Sequence, residues 1–304
     1  MKVIFFGLGS IGKRHLANLT HILEGRVETL EVHAFRSNKK STAVVEGVRN
    51  IYDQADLDTD YDLAFITNPT SLHHETMALM KGKTKWFFVE KPIFEKVYDL
   101  DGYHEPNRYY IAAPLRYKKT MQAARDLIAG EKVWHARLIC SSYLPNWRNE
   151  DYRLSYSADE TLGGGIELDC IHELDYATYL FGLPKDVKSM ISKVSNLEIR
   201  SNDTANYLLD YQDKFVEVHV DYFGKTSQRK LELITEEDTY IFDFYQNTKT
   251  VLSTGDVTSF AEEANDMYLS EMTYVLDEVM AGKSNHNNLA HALEVLAIAK
   301  GELQ

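Results

Sequence analysis

The segment at residues 7–12 (GLGSIG) most constrains the fold of this chain, because it directly follows a short apolar run and opens a helical pattern. A glycine motif in that context joins a strand to a helix and cradles the phosphates of a dinucleotide. Gly7 permits the tight turn, Gly9 lets a pyrophosphate approach, and Gly12 lets helix and strand pack closely. An unrelated glycine-rich turn is the alternative. The residues predicted to contact a dinucleotide here are Gly7, Gly9, Ser10, Ile11 and Gly12.

Short apolar runs alternate with helical patterns through the first third of the chain. Strands that alternate with helices form right-handed βαβ units and a parallel sheet with helices on both faces. We therefore predict an α/β fold that begins with a doubly wound, dinucleotide-binding Rossmann domain at residues 1–115. The expected strands are residues 2–6, 30–35, 48–52, 61–67, 86–90 and 109–113, and the expected helices are residues 10–23 and 70–81.

The pattern changes near Pro114, and residues 116–304 are predicted to form a second, α+β domain that binds substrate and mediates oligomerisation. Apolar and polar residues alternate in runs such as FVEVHV, which is typical of antiparallel strands with one packed face. Several strands are expected between residues 184 and 253. The other expected elements are a strand at residues 133–142 and helices at residues 118–129, 166–181, 260–280 and 288–301.

Length and charge limit the classes of function. The 304 residues suffice for two domains. A net charge of −13 repels phosphate backbones and anionic membranes, so neither nucleic acid nor a membrane is expected as a partner. The first apolar run, residues 3–6, is too short for a signal peptide, and no run approaches the ~20 residues that span a bilayer. We expect a cytoplasmic protein.

The two cysteines, Cys140 and Cys170, lie in no metal-ligand or CxxC pattern. We predict buried free thiols, with neither a disulfide scaffold nor a bound metal.

The residues after the second predicted strand bear on the choice of dinucleotide. A fold that prefers NAD usually places an acid there, but this chain has Arg36 and Ser37, with Lys39 and Lys40 nearby. Guanidinium pairs well with the oxygens of a 2′-phosphate. NADP is therefore the expected cofactor, with NAD as the alternative, unless this is a solvated basic turn.

Two further motifs follow the ends of predicted strands, where ligands bind in open α/β sheets. One contains Asn68, Pro69, Thr70 and His73, and the other contains Glu90 and Lys91 before Pro92. We predict that these residues contact the cofactor. The alternatives are an N-cap at Thr70, a surface or capping histidine at His73, and a surface lysine at Lys91. The peptide before Pro92 could be cis.

Three glycines at residues 163–165 precede a predicted helix that carries Asp169 and His172. On a helix, residues three apart share a face. A carboxylate beside an imidazole favours its charged form, and such a pair can act as a general base. The alternative is an ion pair on a helix surface without chemistry.

These motifs, in this order, resemble the Gfo/Idh/MocA oxidoreductase family: GxGxxG, an Asn/Pro turn, Glu-Lys-Pro, and a GGGxxxD…H segment. The resemblance covers essentially the whole chain. It implies a second domain with a large, open, mostly antiparallel sheet, and a homodimer or homotetramer formed through that sheet. It also implies catalytic roles: Lys91 hydrogen-bonds the reacting hydroxyl, His172 is the acid/base, and Asp169 holds a substrate hydroxyl and supports His172.

The chain departs from the commoner family pattern in three places. Asp169 and His172 are three apart rather than four, the helix after Glu-Lys-Pro is curtailed at residues 93–108, and residues 113–114 replace a tyrosine and asparagine. The spacing and the segment at residues 142–153 resemble a branch found with surface-polysaccharide and sialic-acid-type sugar pathways. The residues predicted to bind substrate are Arg116, Trp147, Arg148, Tyr152, Asp169 and His172.

The expected function is NAD(P)-dependent hydride transfer to or from a secondary alcohol of a sugar, nucleotide sugar or polyol. The small-molecule substrate would be sugar-like. Two alternatives are a non-catalytic NAD(P)-binding sensor or scaffold, and a lyase or hydrolase that uses tightly bound NAD as a transient oxidant.

Overall fold

The computed structural model describes residues 1–37, 44–99, 103 and 105–302, which form two compact units. The first unit comprises Met1–Phe94, Tyr98–Ala112 and Tyr268–Ala292, and the second comprises Glu95–Val97, Ala113–Met267 and Leu293–Gln304. The predicted boundary at residue 115 lies close to Ala112, where the chain leaves the first unit. The pattern did not indicate that residues 268–292 return to the first unit.

The first unit contains a sheet of six parallel strands, as predicted. The strands are β1 (Lys2–Phe6), β2 (Glu31–Phe35), β3 (Val48–Ile51), β4 (Tyr61–Ile66), β5 (Thr84–Val89) and β6 (Tyr109–Ile111). Their order is β3-β2-β1-β4-β5-β6, so the direction of winding reverses between β1 and β4. Phe6, at the carboxyl end of β1, is in register with Phe35 and Ile66 on its two neighbours. This order places a ligand-binding crevice beyond β1 and β4.

The second unit contains an eight-stranded, mostly antiparallel sheet, as predicted. The strands are β7 (Val133–Tyr143), β8 (Asp186–Ser192), β9 (Thr204–Asp210), β10 (Phe215–Asp221), β11 (Phe223–Thr235), β12 (Thr239–Asp243), β13 (Thr248–Val251) and β14 (Val257–Ser259). Their order is β14-β13-β12-β11-β7-β10-β9-β8, and only β7 and β10 pair in parallel. The last strand, β14, lies beyond the range in which strands were predicted.

Seven α-helices complete the described part of the chain. None of them is long and apolar enough to cross a membrane. Residues 93–108 contribute only a 3₁₀ turn at Pro106–Arg108 among their described residues, which agrees with a curtailed helix. The helices are α1 (Ser10–Leu23), α2 (His73–Met80), α3 (Lys119–Gly130), α4 (Ile166–Asp169), α5 (His172–Phe181), α6 (Asp266–Tyr274) and α7 (Leu289–Lys300).

Two helix predictions were wrong. The helix expected at residues 166–181 is divided, because Cys170 leaves the helical region with φ −104° and ψ 32°. The helix expected at residues 260–280 begins only at Asp266, ends at Tyr274, and is followed by a π-helical turn. The residues before Asp266 are not helical, and one of them contacts α3 instead: the Glu262 carboxylate accepts a hydrogen bond from the Lys119 N–H at the start of that helix. Such a carboxylate satisfies one of the orphan donors of a helix N-terminus.

The core of the first unit comes from continuous apolar runs on its central strands. Phe5 and Phe65, on adjacent strands, are fully buried and stack with ring centroids 4.2 Å apart. Leu19 of α1 and Met272 of α6 belong to the same cluster of buried side chains. Strands buried on both faces are typical of a parallel sheet covered by helices.

The sheet of the second unit has one packed face and one exposed face. Leu138 and Leu231 are paired across β7 and β11 and are almost fully buried. Their neighbours Arg137 and Glu232 face the other side and form an exposed ion pair at 3.0 Å. This alternation confirms the half-buried antiparallel pattern predicted for these strands.

A buried ion pair joins the 3₁₀ turn Pro114–Tyr117 to α5. The Arg116 guanidinium donates two parallel hydrogen bonds to the Asp175 carboxylate, at 2.9 and 2.8 Å, and lies 4.8 Å from the centre of the Tyr179 ring. Only 1% of Arg116 is exposed. Removing one member of such a pair leaves an uncompensated buried charge.

We predict that Arg116→Met lowers the free energy of unfolding by about 3–5 kcal/mol, because Asp175 loses its partner in the interior. The double variant Arg116→Met/Asp175→Leu should recover most of that loss, since neither charge remains. Urea unfolding of the wild type and the variants measures this. A double variant as unstable as the single variant would contradict it.

Candidate active site

A cleft of about 550 Å³ opens beyond the carboxyl ends of β1, β2 and β4 in the first unit. This volume is in the range of small-molecule sites. Six residues predicted to bind the cofactor line it, together with side chains from α2. The lining residues are Phe6, Gly7, Leu8, Gly9, Phe35, Arg36, Ser37, Gln54, Thr67, Asn68, Pro69, Leu72, Glu75, Thr76 and Leu79.

The glycine turn has the geometry that a dinucleotide requires. Gly7 adopts φ +98°, and a Cβ there would lie 2.6 Å from the Thr67 carbonyl oxygen. A Cβ at Gly12 would clash with the Gly7 carbonyl oxygen, whereas one at Gly9 would meet no atom within 4 Å. Among the described residues, no side chain caps the N-terminus of α1. The turn therefore leaves room and free backbone donors for a pyrophosphate.

Ser10 and Ile11 begin α1, next to the turn, and are not among the residues that line the cleft. Arg36 and Ser37 line the cleft where β2 ends. Lys39 and Lys40 lie outside the described residues. Gln54, in a 3₁₀ turn after β3, also lines the cleft, and sequence reasoning missed it.

The motif after β4 divides into cleft residues and a structural residue. Asn68 and Pro69 line the cleft, and Thr70 opens a 3₁₀ turn. His73 is 1% exposed, and its two ring nitrogens lie 3.0 Å from the backbone oxygens of Ile93 and Asn68. Burial lowers the pKa of His73 despite these carbonyls. The alternative of a surface histidine is wrong, because His73 is buried; it does not line the cleft, and it joins the loops of Asn68 and Ile93 from inside.

Glu90 and Lys91 follow β5 and are not among the residues that line the cleft. Glu90 Oε1 lies 2.6 Å from His15 Nε2, and Oε2 accepts a hydrogen bond from the Lys91 N–H at 3.2 Å. Burial alone would raise the pKa of Glu90, but the hydrogen bond from His15 and the nearby charges hold it below its ordinary value. The Lys91–Pro92 peptide is cis, as the sequence allowed.

In the second unit, two tyrosine hydroxyls hold the Asp169 carboxylate. Tyr222 donates to Asp169 Oδ2 at 2.5 Å, and Tyr156 also donates to this carboxylate. Burial and the charge of Asp169 raise the pKa of both tyrosines, so each hydroxyl remains a donor. Trp147 packs edge-on against Tyr222, with ring centroids 5.3 Å apart. Sequence reasoning found Asp169 and missed both tyrosines.

The glycines before Asp169 allow this arrangement. Gly165 has φ +134°, and a Cβ at Gly164 would clash with the Tyr156 carbonyl oxygen. The backbone of the Tyr156 turn can therefore approach the start of α4 closely. His172, the predicted acid/base, is partly exposed and begins α5 after the break at Cys170.

The residues predicted to bind substrate do not all lie together. Trp147, Arg148 and Tyr152 line one small cavity of about 20 Å³, which holds roughly one water molecule. The Arg148 guanidinium lies 5.2 Å from the centre of the Tyr156 ring. Arg116 is corrected: it is the buried partner of Asp175 described above rather than a pocket residue.

Both cysteines are free and buried, as predicted. Their sulfurs lie 3.6 Å apart, and Arg229 Nη2 donates to Cys140 Sγ at 3.2 Å. Glu173 completes a group of three potential metal ligands. Its carboxylate also accepts from Arg229 Nε at 2.7 Å, and this partly buried guanidinium disfavours a cation there.

Two family models match the chain. The model described as "Oxidoreductase family, NAD-binding Rossmann fold" matches residues 1–104, and the "GFO/IDH/MocA C-terminal domain" matches residues 121–241. Together they cover well over half of the chain. The chain belongs to the Gfo/Idh/MocA oxidoreductase family. The glycine turn and the cleft of the first unit both lie within the residues that match the NAD-binding Rossmann model.

Solved structures with the same fold include a levoglucosan dehydrogenase in complex with NADH and levoglucosan, 15% identical, with a TM-score of 0.84 over 99% of this chain and 95% of that chain. The myo-inositol 2-dehydrogenase of Lactobacillus plantarum is 18% identical, with a TM-score of 0.76 over 99% and 95%. An Agrobacterium radiobacter oxidoreductase in complex with NAD+, L-tartaric acid and magnesium is 19% identical, with a TM-score of 0.77 over 99% and 94%. No curated protein matches the sequence.

In this Gfo/Idh/MocA oxidoreductase, two glycine substitutions should separate folding from cofactor binding. We expect Gly12→Ala to lower the free energy of unfolding by about 1–3 kcal/mol, because the added methyl meets the Gly7 carbonyl. Gly9→Ala should change it by less than about 1 kcal/mol. It should nevertheless weaken dinucleotide binding about tenfold or more, since the methyl occupies the space of the pyrophosphate.

Urea unfolding and fluorescence titration with NADH and NADPH measure the two effects. Equal losses of stability in the two glycine variants, or unchanged binding in Gly9→Ala, would contradict this account of the turn.

Proposed function

We propose that this chain is an NADP-preferring dehydrogenase or reductase that interconverts a secondary alcohol and a ketone on a sugar-like substrate. One observation carries the proposal: Arg36 and Ser37 line the same cleft as the glycine turn. The turn accounts for the pyrophosphate, and the position beyond β2 is where the adenosine ribose binds in such folds. The described lining of the cleft thus offers a guanidinium and a hydroxyl where NAD-specific folds place an acid.

Guanidinium forms paired, charge-assisted hydrogen bonds with phosphate oxygens, which supports a 2′-phosphate as the partner of Arg36. Glu75, on α2, also lines the cleft and works against an anionic ligand. The preference for NADP therefore depends on Arg36 and Ser37 at the ribose end, and NAD remains the competing cofactor.

The catalytic roles follow chemistry that the family resemblance implies. A bound nicotinamide would supply the chemistry of hydride transfer between the carbinol carbon of the alcohol and the ketone. The His172 imidazole takes the hydroxyl proton as the alcohol is oxidised and returns it in the reverse direction. Lys91 donates a hydrogen bond to the reacting oxygen. Asp169, fixed by Tyr156 and Tyr222, aligns the substrate hydroxyl.

Two observations support a substrate with several hydroxyl groups. Solved structures with this fold include enzymes named for levoglucosan and myo-inositol, which both carry several hydroxyl groups. The loop with Trp147, Arg148 and Tyr152 offers an aromatic face and a cation, which suit a sugar that carries a carboxylate or phosphate. We therefore place the substrate in the class of anionic sugars and include the surface-polysaccharide and sialic-acid-type branch among the candidates.

Arg36→Ala should weaken NADPH binding about 10- to 100-fold, the usual worth of hydrogen bonds to a charged group, and leave NADH binding nearly unchanged. Arg49→Ala is a matched control, because it removes the same charge from β3 at a residue that does not line the cleft. Binding is measured by fluorescence titration. Equal affinity of the wild type for NADH and NADPH would discard the role of Arg36 and keep the oxidoreductase.

A screen of sugars, sugar acids and polyols with NADP+ and NAD+, read at 340 nm, tests the reaction itself. With a substrate in hand, His172→Asn should lower kcat by at least about 100-fold, as removal of a general base does, while cofactor affinity stays within about threefold. Full activity of His172→Asn would remove the proposed role of His172.

A further inference from the structure

A buried histidine lies behind the Glu-Lys-Pro segment. His15 is fully buried on α1, one turn after Gly12, and its Nε2 lies 2.6 Å from Glu90 Oε1. Phe88 packs edge-on against the imidazole at 4.7 Å, and Phe65 lies 6.2 Å away. Among the described residues, His15 Nδ1 is buried and has no hydrogen-bond partner. Within the described part of the chain, the imidazole therefore makes its hydrogen bond to Glu90 alone.

This contact continues to Lys91. Glu90 uses its other oxygen, Oε2, to accept the Lys91 N–H at 3.2 Å. A carboxylate with both oxygens engaged has little rotational freedom, and a short hydrogen bond between imidazole and carboxylate is among the stronger kinds. The chain of contacts thus runs from the helix of the glycine turn, through His15 and Glu90, to the peptide of Lys91.

The unpartnered nitrogen argues that His15 does more than fill space. A buried polar atom without a hydrogen bond costs free energy that a phenyl ring of similar size would not incur. The ring sits among aromatic side chains, where phenylalanine would pack well. What phenylalanine could not provide is a donor at the position of Nε2.

We propose that His15 is a positioning residue for Lys91: it fixes the Glu90 carboxylate, which in turn fixes the backbone that carries the lysine. The inference deepens the proposed function, since it rests on the role of Lys91 at the reacting oxygen. It assigns no contact between His15 and substrate or cofactor. Because His15 lies on α1, the position of Lys91 would depend on the helix that begins at the glycine turn.

Two substitutions at position 15 separate the hydrogen bond from packing. His15→Phe keeps an aromatic ring and removes the donor, whereas the Gln side-chain amide in His15→Gln can place a donor near the position of Nε2. His33→Phe is the matched control: His33 lies on β2 of the same unit, is also fully buried, and is hydrogen-bonded to Glu31 at 2.7 Å and Tyr61 at 2.8 Å. Glu31 begins β2, at the end of the strand opposite the cleft.

The first readout is amide hydrogen exchange at residue 91, measured by NMR, which needs no substrate. We expect exchange to rise at least about tenfold in His15→Phe and to stay within about threefold in His15→Gln and His33→Phe. The second readout is steady-state kinetics on a substrate from the screen. Here kcat should fall about 10- to 100-fold in His15→Phe with cofactor affinity retained, and His15→Gln should restore most of it.

The proposal is overturned if His15→Phe matches His33→Phe in both readouts, which would mean a purely structural histidine. It is also overturned if His15→Gln fails to restore what His15→Phe loses. Should His15→Phe not fold, Glu90→Ala tests the same link. If amide exchange at residue 91 and kcat in Glu90→Ala equal those of the wild type, the proposal is overturned. If the wild type turns over no substrate, the proposed function fails, while exchange at residue 91 still decides the role of His15.

Discussion

The cofactor cleft depends on one close contact, between the glycine turn and the end of β4. The Thr67 hydroxyl donates to the backbone oxygens of Phe6, at 3.1 Å, and Gly7, at 2.5 Å. A side chain at Gly7 or Gly12 would occupy the space in which these backbones meet. The contact lies where the winding of the sheet reverses. It therefore decides both where the cleft opens and that the N-terminus of α1 faces it.

In the second unit, the corresponding constraint is the turn that brings Tyr222 to Asp169. Tyr222 lies between β10 and β11, and the Asp221 carboxylate accepts hydrogen bonds from the N–H groups of Phe223 and Gly224. Burial alone would raise the pKa of Asp221, but hydrogen bonds from His219, Ser141 and these two N–H groups hold it below its ordinary value. A rigid turn presents the Tyr222 hydroxyl as a fixed donor, so the Asp169 carboxylate is oriented by the sheet rather than by its own short helix.

Much of this architecture could be predicted from the sequence, because the signals are local. The glycine turn, the alternating strands and helices, and the motifs at strand ends each occupy a few consecutive residues with a direct physical meaning. The failures have the opposite character. Whether Arg116 lines a pocket or pairs with Asp175 depends on a partner 59 residues away, and His73 is explained by a carbonyl 20 residues away. Local pattern carries no information on such pairings.

The same division holds for the candidate catalytic residues of each unit. The residues expected to carry the chemistry, Lys91 and Asp169, stand in motifs that can be read directly. Their supports stand elsewhere in the chain: His15 lies 75 residues from Glu90, and Tyr222 lies 53 residues from Asp169. Each support is a buried side chain with an aromatic body and a polar end.

In sequence, a buried aromatic side chain of this kind resembles any other core residue. A motif can therefore identify which group reacts, but the groups that fix its orientation, and hence the precision on which catalysis depends, become apparent only from the folded chain.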